Sequence, residues 1–324
     1  MAVVSGDRPR PGLRESRRVG DSVFHGVALF FAVVVVLAAA SLVISLIAQA
    51  WPALTHIGVG QLLGSSTWNP NQDVGATYGA LAFIYGTFVT SLIALLFAGI
   101  VGIMVAMFLV ELAPPLIARP VSFLIEMLAA VPSIIFGLFG LLFVIPLITP
   151  LELNLNTHLG FIPFFGGSFS SRNLFTAALV LTMMILPTVA ALSRDVMAAV
   201  PGSQREGMLA LGATRWEVVR NVVIPYARAG IIGALILALG RAVGETLAVT
   251  MVIGNTARIT PGIFSGGYTL AAVLANESGD AFSKPLYIGA LFELGLLLLL
   301  ISVLLNTLAR ILVWRVSRGA GTVR

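Results

Sequence analysis

"VPGSQREGMLALGATRWEVVRNVVIPYAR", Val200 to Arg228, is too polar to cross a membrane and too regular to be a linker. Ser203 stands three residues before Glu206, the spacing at which a capping hydroxyl and a carboxylate satisfy each other's backbone N–H groups at a helix start. Gly212 then provides the left-handed residue on which helices commonly end. Thr214 and Glu217 repeat the capping spacing, and Trp216, Val219 and Val223 fall on one face of a second helix. Pro225 marks the following boundary. The stretch therefore predicts two short helices hinged at a glycine, an elbow at about residues 200–225. Taken by itself, such an elbow is either an amphipathic surface segment or a docking element.

The rest of the chain says what surface it lies on. Of 324 residues, 58% are hydrophobic and 10% charged, against about 25% charged in an ordinary soluble domain. A hydrocarbon core about 30 Å thick needs roughly 20 apolar residues per helical span. Runs of that kind lie at Phe24–Ala50, Tyr78–Val110, Val121–Ile148, Leu174–Ala199, Ala229–Ile253 and Leu286–Trp314. All read as helices, because an unclosed strand cannot satisfy its backbone in lipid and a barrel would show short alternating segments. Val33 to Val36 is β-branched throughout, and length overrides that propensity. The first run imitates a signal peptide, since it follows Arg14, Arg17 and Arg18 and ends in Ala48-Gln49-Ala50. Its core exceeds the about 7 to 15 residues of a signal sequence, which makes it an uncleaved anchor. Arg17 and Arg18 read as positive-inside residues, with a twin-arginine export signal as the alternative.

Basic residues set the orientation. With a cytoplasmic N-terminus, the inside segments hold Arg8, Arg10, Arg14, Arg17, Arg18, Arg119, Arg194, Arg205, Arg215, Arg220, Arg228, Arg310, Arg315, Arg318 and Arg324, and the outside loops only Arg172, Arg258 and Lys284. Both termini are then cytoplasmic. The same distribution explains the net charge of +5 without nucleic acid, which would require basic residues clustered on one soluble face. Residues 1–22 form a polar N-terminal tail and 23–324 one membrane domain. The outside loops, about Trp51–Thr77, Pro150–Asn173 and Gly254–Pro285, are rich in Gly, Pro, Ser and Asn. Trp51 and Trp68 suit an interfacial position. Another short inside loop runs near Glu111–Pro120.

From Glu206 the elbow reads Glu-Gly-Met, three residues, Gly212, nine residues, Val222, one residue, then Ile224-Pro225. This resembles the "EAA" loop of ABC importer permeases, with Gly207 and Met208 in place of two alanines, Val222 in place of isoleucine and Ile224 in place of leucine. "YGTFVTSLIALL" (Tyr85–Leu96), "FLVELAP" (Phe108–Pro114), "VPSIIFGLFG" (Val131–Gly140) and "GRAVGETLAVTMVIGN" (Gly240–Asn255) resemble the permease subunits of phosphate-specific ABC importers. The long first outside loop and Arg-rich tail lean towards the PstC branch over its sister PstA. The resemblance implies an all-α polytopic membrane protein with six transmembrane helices, the type I importer permease architecture and a cytoplasmic coupling elbow. It implies that Glu206, Gly207, Met208, Gly212, Ile224 and Pro225 face a pair of ATPase subunits. It further implies a second, PstA-like permease, an external phosphate-binding protein and phosphate as substrate. ATP and magnesium would be bound by the ATPase, leaving no cofactor in this chain, and the spans would be surrounded by membrane lipid in a bacterial inner membrane.

Arg241 and Glu245 stand four residues apart inside the fifth run. A charge at mid-membrane costs about 2.5 to 3.5 kcal/mol on insertion scales and is a functional candidate by default. On one continuous helix the two share a face and can pair, while Gly240 and Gly244 form a small-residue face beside them. Either the pair neutralises itself and locks the bundle, or Arg241 offers phosphate a weak, transient site and Glu245 prevents trapping. Glu126, near the cytoplasmic end of the third run, and Glu293, in the sixth, either pair between helices or line the path. Thr246 and Thr250 are expected to bond back to their own helix.

The sequence also restricts the chemistry. Without cysteine there are no disulfides or thiolate metal sites. The sole lysine, Lys284, precedes Pro285 and has no glycine spacing before it, so a phosphate-cradling ATPase loop is excluded. His25, His56 and His158 are scattered, which predicts no metal cluster, and no Gly-x-Ser-x-Gly elbow occurs. An intramembrane enzyme would need convergent titratable residues near one leaflet. An ion-driven carrier would have no use for an ATPase-docking elbow.

Overall fold

The computed structural model describes residues 12–70, 75–282 and 284–318. It divides into two units, residues up to Gln49 and residues from Ala50 onward. The first unit is one helix, the start of α1 (Gly12–His56). Helix thus begins inside the predicted tail, of which residues 1–11 lie outside the described residues. It also continues through Pro52 to His56, six residues past the end of the apolar run at Ala50.

The second unit opens with α2 (Val59–Gly64) and a hairpin of β1 (Trp68–Asn69) against β2 (Thr77–Tyr78), with Trp68 opposite Tyr78. Then follow α3 (Leu81–Leu112), α4 (Pro115–Ala129), α5 (Ser133–Leu159) and α6 (Leu174–Ala198). The elbow contributes α7 (Gly202–Ala210) and the start of α8 (Arg215–Val243). The chain closes with α9 (Leu247–Val252), α10 (Leu270–Ala281) and α11 (Pro285–Arg318). Among the described residues, 6 helices are long and apolar enough to cross a membrane, namely α1, α3, α5, α6, α8 and α11.

At the centre lies α6, whose Ala177, Ala178, Leu181, Met184, Ile185 and Val189 are buried. Small residues spaced by four on α3, at Ala94, Ala98 and Gly102, let that helix approach it closely, which in lipid replaces the hydrophobic effect as the source of association. Both α5 and α8 carry one π-type turn, Gly140–Val144 and Val219–Val223, and each turn is followed at once by Ile-Pro. Widening a turn beside proline relieves the ring's clash with the carbonyl four residues back. Pro225 is therefore not a helix boundary, contrary to the expectation, because α8 runs straight through it.

Two apolar runs turn out to be broken. The third, expected at Val121–Ile148, is interrupted at Ala130–Pro132; α4 ends before the break, and the span is Ser133–Leu159. Pro132 stands at the N-cap of α5, where its missing N–H costs nothing and the residue before it is kept out of the helical region. The fifth run is interrupted at Gly244-Glu245-Thr246, between α8 and α9.

All three expected outside loops contain helix, the first holding the end of α1 and the whole of α2. α5 continues through Pro150 to Leu159 and buries Glu152, whose carboxylate accepts from Asn173 Nδ2 at 2.9 Å and Thr176 Oγ1 at 3.2 Å. Asn173 Oδ1 meanwhile caps α6 by accepting from Thr176 N at 2.8 Å. Asn173→Ala removes the cap and strands a buried carboxylate in one step. The expected loss is about 2 to 3 kcal/mol of stability, read as a lowered melting temperature in detergent by tryptophan fluorescence; an unchanged melt would contradict it. α10 fills the middle of the third predicted loop, capped by the Thr269 hydroxyl, which accepts from Ala272 N.

Candidate functional site

The elbow is built as a helix, a glycine and a second helix. Gly212 has φ 85°, and Ala213 N and Gly212 N donate back to Met208 O and Leu209 O, the paired bonds of a Schellman ending. Thr214 and Glu217 form the reciprocal capping box at the start of α8. The box expected at Ser203 and Glu206 is absent. α7 starts two residues earlier than a Ser203 cap requires, at Gly202 behind Pro201, with no side-chain cap, and Glu206 is left exposed.

Faces of the elbow divide cleanly. Glu206, Gly207, Gly212 and Pro225 are exposed, as are the large apolar side chains of Leu209, Leu211 and Trp216. Met208 and Val222 turn inward with Ala213, packing on a cluster of Ala106, Met197, Val200, Val218, Val223 and Ala227. Ile224 is half-buried. Met208 therefore anchors the elbow to the bundle, and the apolar residues left open are ones that the loop's motif does not contain. Trp216, expected on one face with Val219 and Val223, departs from it, since the two valines are buried while Trp216 is 58% exposed.

The Arg241 and Glu245 region has a different geometry from the expected paired stripe. α8 ends at Val243, so the two residues do not share a helix and the four-residue spacing does not align them. No ion pair joins them among the described residues. Arg241 is exposed on the last turn of α8, while Glu245 lies in the break with its Oε1 accepting from Ala248 N of α9 at 3.2 Å. The break is stitched by side chains. Thr246 Oγ1 bonds Gly244 O, Thr250 Oγ1 bonds Thr246 O at 2.7 Å, and Asn255, left-handed at φ 50°, donates its amide to Thr250 O. Such local bonds substitute for the ladder that an interrupted helix loses in lipid.

Room for α9 comes from α5. A side chain at Gly137 would lie 2.8 Å from Ala248 Cα, and one at Gly140 would meet Val180 and Val252. Glu126 is far from this arrangement in partnership. It sits on α4 and accepts from Arg194 at 2.8 Å, with Arg194 also bonded to Asp195. Glu293 is 3% exposed, and neither carboxylate oxygen has a hydrogen-bond partner among the described residues. Among the described residues it forms no ion pair with Arg241 or another cation. Asn306 was passed over in the sequence. It is an exposed amide within α11, 4.0 Å from where a side chain at Gly240 would begin.

On the face opposite the elbow, an aromatic cluster fixes the hairpin. Trp68 Nε1 and Tyr287 OH both donate to Glu277 Oε2, at 2.7 and 2.6 Å. Trp68 packs edge-on to Tyr78 and Phe83, and Phe83 edge-on to Tyr268. Burial raises the pKa of the Tyr268 phenol above the usual tyrosine range and the Glu277 carboxylate raises it further, against a lowering bond from Asn276. Tyr78 is raised by burial as well. Both stay neutral phenols and hold the loops without charge.

A broken membrane helix, an elbow with an open apolar face and a docked hairpin now stand together. The family described as "Binding-protein-dependent transport system inner membrane component" matches residues 98–318. The Phosphate transport system permease protein PstC of Haemophilus influenzae is 41% identical, over 93% of this chain and 95% of that protein. The chain belongs to the PstC family. A second PstC, from Xylella fastidiosa, is 40% identical over 98% of both chains, and PstC 2 of Mycobacterium tuberculosis 38% over 92% and 93%.

The PstC family's fold is shared more widely. The chain is similar to the MetNI methionine ABC transporter solved in inward-facing conformations, with a TM-score of 0.53 at 19% identity over 72% of this chain and 94% of that one. It is also similar to a bacterial ABC transporter involved in the import of the acidic polysaccharide alginate, with a TM-score of 0.58 at 14% identity over 93% and 99%. As a PstC-family permease, the chain is a multi-pass membrane component of an ABC importer, and both the elbow and the α8–α9 break lie inside the matched residues.

Proposed function

We propose that this chain forms half of the membrane path of an ATP-driven importer of inorganic phosphate. Likeness to phosphate transport system permeases over 93% of the chain carries the reading. A PstA-like permease supplies the other half, an external binding protein delivers phosphate, and a pair of ATPase subunits binds ATP and magnesium. The chain has no ATPase motif of its own. Both termini and the elbow are cytoplasmic, in line with the excess of arginine on that side.

In this arrangement Glu206, Gly207, Gly212, Pro225 and the exposed Leu209, Leu211 and Trp216 meet the ATPase, and Met208 and Ile224 support them from behind. ATP-driven closure rocks the elbow as a rigid body and alternates access to the path. Arg241, at the exposed end of α8, meets the anion with its planar fork of donors. Glu245 limits how tightly the anion is held. Glu293 and Glu126 contribute less directly, the one as a carboxyl in the bundle core and the other by holding α4 to α6.

Uptake of labelled phosphate against sulfate in vesicles containing the assembled complex tests the substrate. Gly212→Asp tests the docking, because a side chain at φ 85° is strained and the new charge falls in the interface. Copurification of the ATPase is expected to be lost while the permease still purifies as a folded chain; an undiminished complex would count against the assignment.

A further inference from the structure

We propose that Arg205 and Glu111 form the strut through which the elbow drives the membrane helices. The inference rests on the reading that the elbow docks an ATPase, and it names how that movement leaves the elbow within this chain. Arg205 neighbours Glu206 on α7 but points the other way, into the bundle. All three guanidinium nitrogens are engaged, Nε with Glu111 Oε1 at 3.0 Å, Nη1 with Val200 O at 2.6 Å and Nη2 with Met197 O at 2.8 Å. One side chain therefore ties together the elbow, the end of α6 and the end of α3.

Arg215, across the hinge at Gly212, adds a longer bond from Nη1 to Glu111 O at 3.4 Å, so both helices of the elbow reach the same residue. Glu111 lies in the π-type turn that ends α3, a device found at positions where a helix must carry a functional side chain. The pair is largely shielded, with 21% of the Arg205 and 12% of the Glu111 side chain exposed. By contrast, the carboxylates paired with Arg194 are 56% and 61% exposed.

Two kinds of contact hold the elbow to the bundle, and they differ in what they can transmit. The apolar packing of Met208 and Ala213 is non-directional and tolerates sliding. A planar guanidinium forked between a carboxylate and two carbonyls is directional and fixes register. When the elbow moves as a rigid body, this clamp obliges the ends of α3 and α6 to move with it. Arg205 and Glu111 are on this account positioning residues, acting at a distance from the anion.

The test is the amount of phosphate taken up per ATP hydrolysed by the whole complex in vesicles. Glu111→Gln keeps the shape and removes the charge; Arg205→Lys keeps the charge and removes the fork. Both complexes are expected to assemble and hydrolyse ATP while the uptake-to-hydrolysis ratio falls about tenfold, the upper range for a lost coupling contact. The double variant Glu111→Gln with Arg205→Gln should be no worse than Arg205→Gln alone, because losing the guanidinium already removes the Glu111 contact along with those to Val200 O and Met197 O. A parental ratio in either variant that assembles overturns the proposal. Loss of ATPase copurification in both variants also overturns it, since the pair would then build the docking face rather than transmit from it. Failure of the parent complex to take up phosphate, or of its elbow to bind the ATPase, would show instead that the functional reading itself is wrong.

Discussion

Replacing Arg241 by glutamine is expected to cut phosphate uptake by about a hundredfold, with the importer still assembled. Glutamine keeps two of the five N–H donors on a shorter side chain, and it loses the charge and the fork. On the proposed reading, in which a second permease closes off the path, a charge-assisted contact to an oxyanion is worth roughly 3 kcal/mol, which sets that factor. Arg241 has no ion-pair partner among the described residues and stands exposed on the last turn of α8, so its loss leaves no stranded carboxylate in this chain. Glu245→Gln should preserve the break, since the amide oxygen can still accept from Ala248 N, while altering uptake through the missing negative charge. Uptake rates and copurification of the complex, measured together, decide the matter. Normal transport by both assembled variants would remove Arg241 and Glu245 from the path.

Gly86→Ala should destabilise the face of the bundle opposite the elbow. The carbonyl of Tyr268 rests where a side chain at Gly86 would begin, in contact with its Cβ position. That carbonyl cannot withdraw, because Leu270 N two residues on donates to Thr87 Oγ1 at 2.9 Å, Asn276 donates to the Tyr268 phenol at 2.9 Å, and the Tyr268 ring packs on Phe83. Relief must come from a shift of α3 against the loop, at a cost of about 3 kcal/mol or more. The melting temperature in detergent, followed by tryptophan fluorescence because Trp68 sits in the affected cluster, is expected to drop by several degrees. A variant that melts like its parent would mean that the loop is free to move.

The elbow was readable because its determinants are local. Gly212 ends a helix wherever it stands with φ positive, and Thr214 with Glu217 needs only a three-residue spacing to close its box. The Ser203 box failed for a reason outside the spacing, since Pro201 starts the helix first. Apolar length located the spans, but it is blind to interruptions. The same oily run can continue through Pro150, Pro187 and Pro225 or stop at Pro132 and Gly244. What decides is whether freed backbone groups find partners, and those partners are distant in sequence.

The stretch Leu239–Thr250 shows the division plainly. The sequence by itself determined that this is a helical membrane chain, that two short helices hinged at Gly212 form an elbow between its spans, and that Arg241 and Glu245 are the charges to explain. Only the tertiary structure decided that they do not share a helix, because α9 can turn away at Gly244 only where Gly137 and Gly140 of α5 leave it space. Likewise, Arg205 looked like one more positive-inside residue until folding set it 3.0 Å from Glu111, a residue 94 positions away. Local hydrogen bonds and hydropathy act along a few turns of chain and can be read in order. Close approach and charge pairing between helices depend on which faces meet, and that is fixed only when the whole bundle packs.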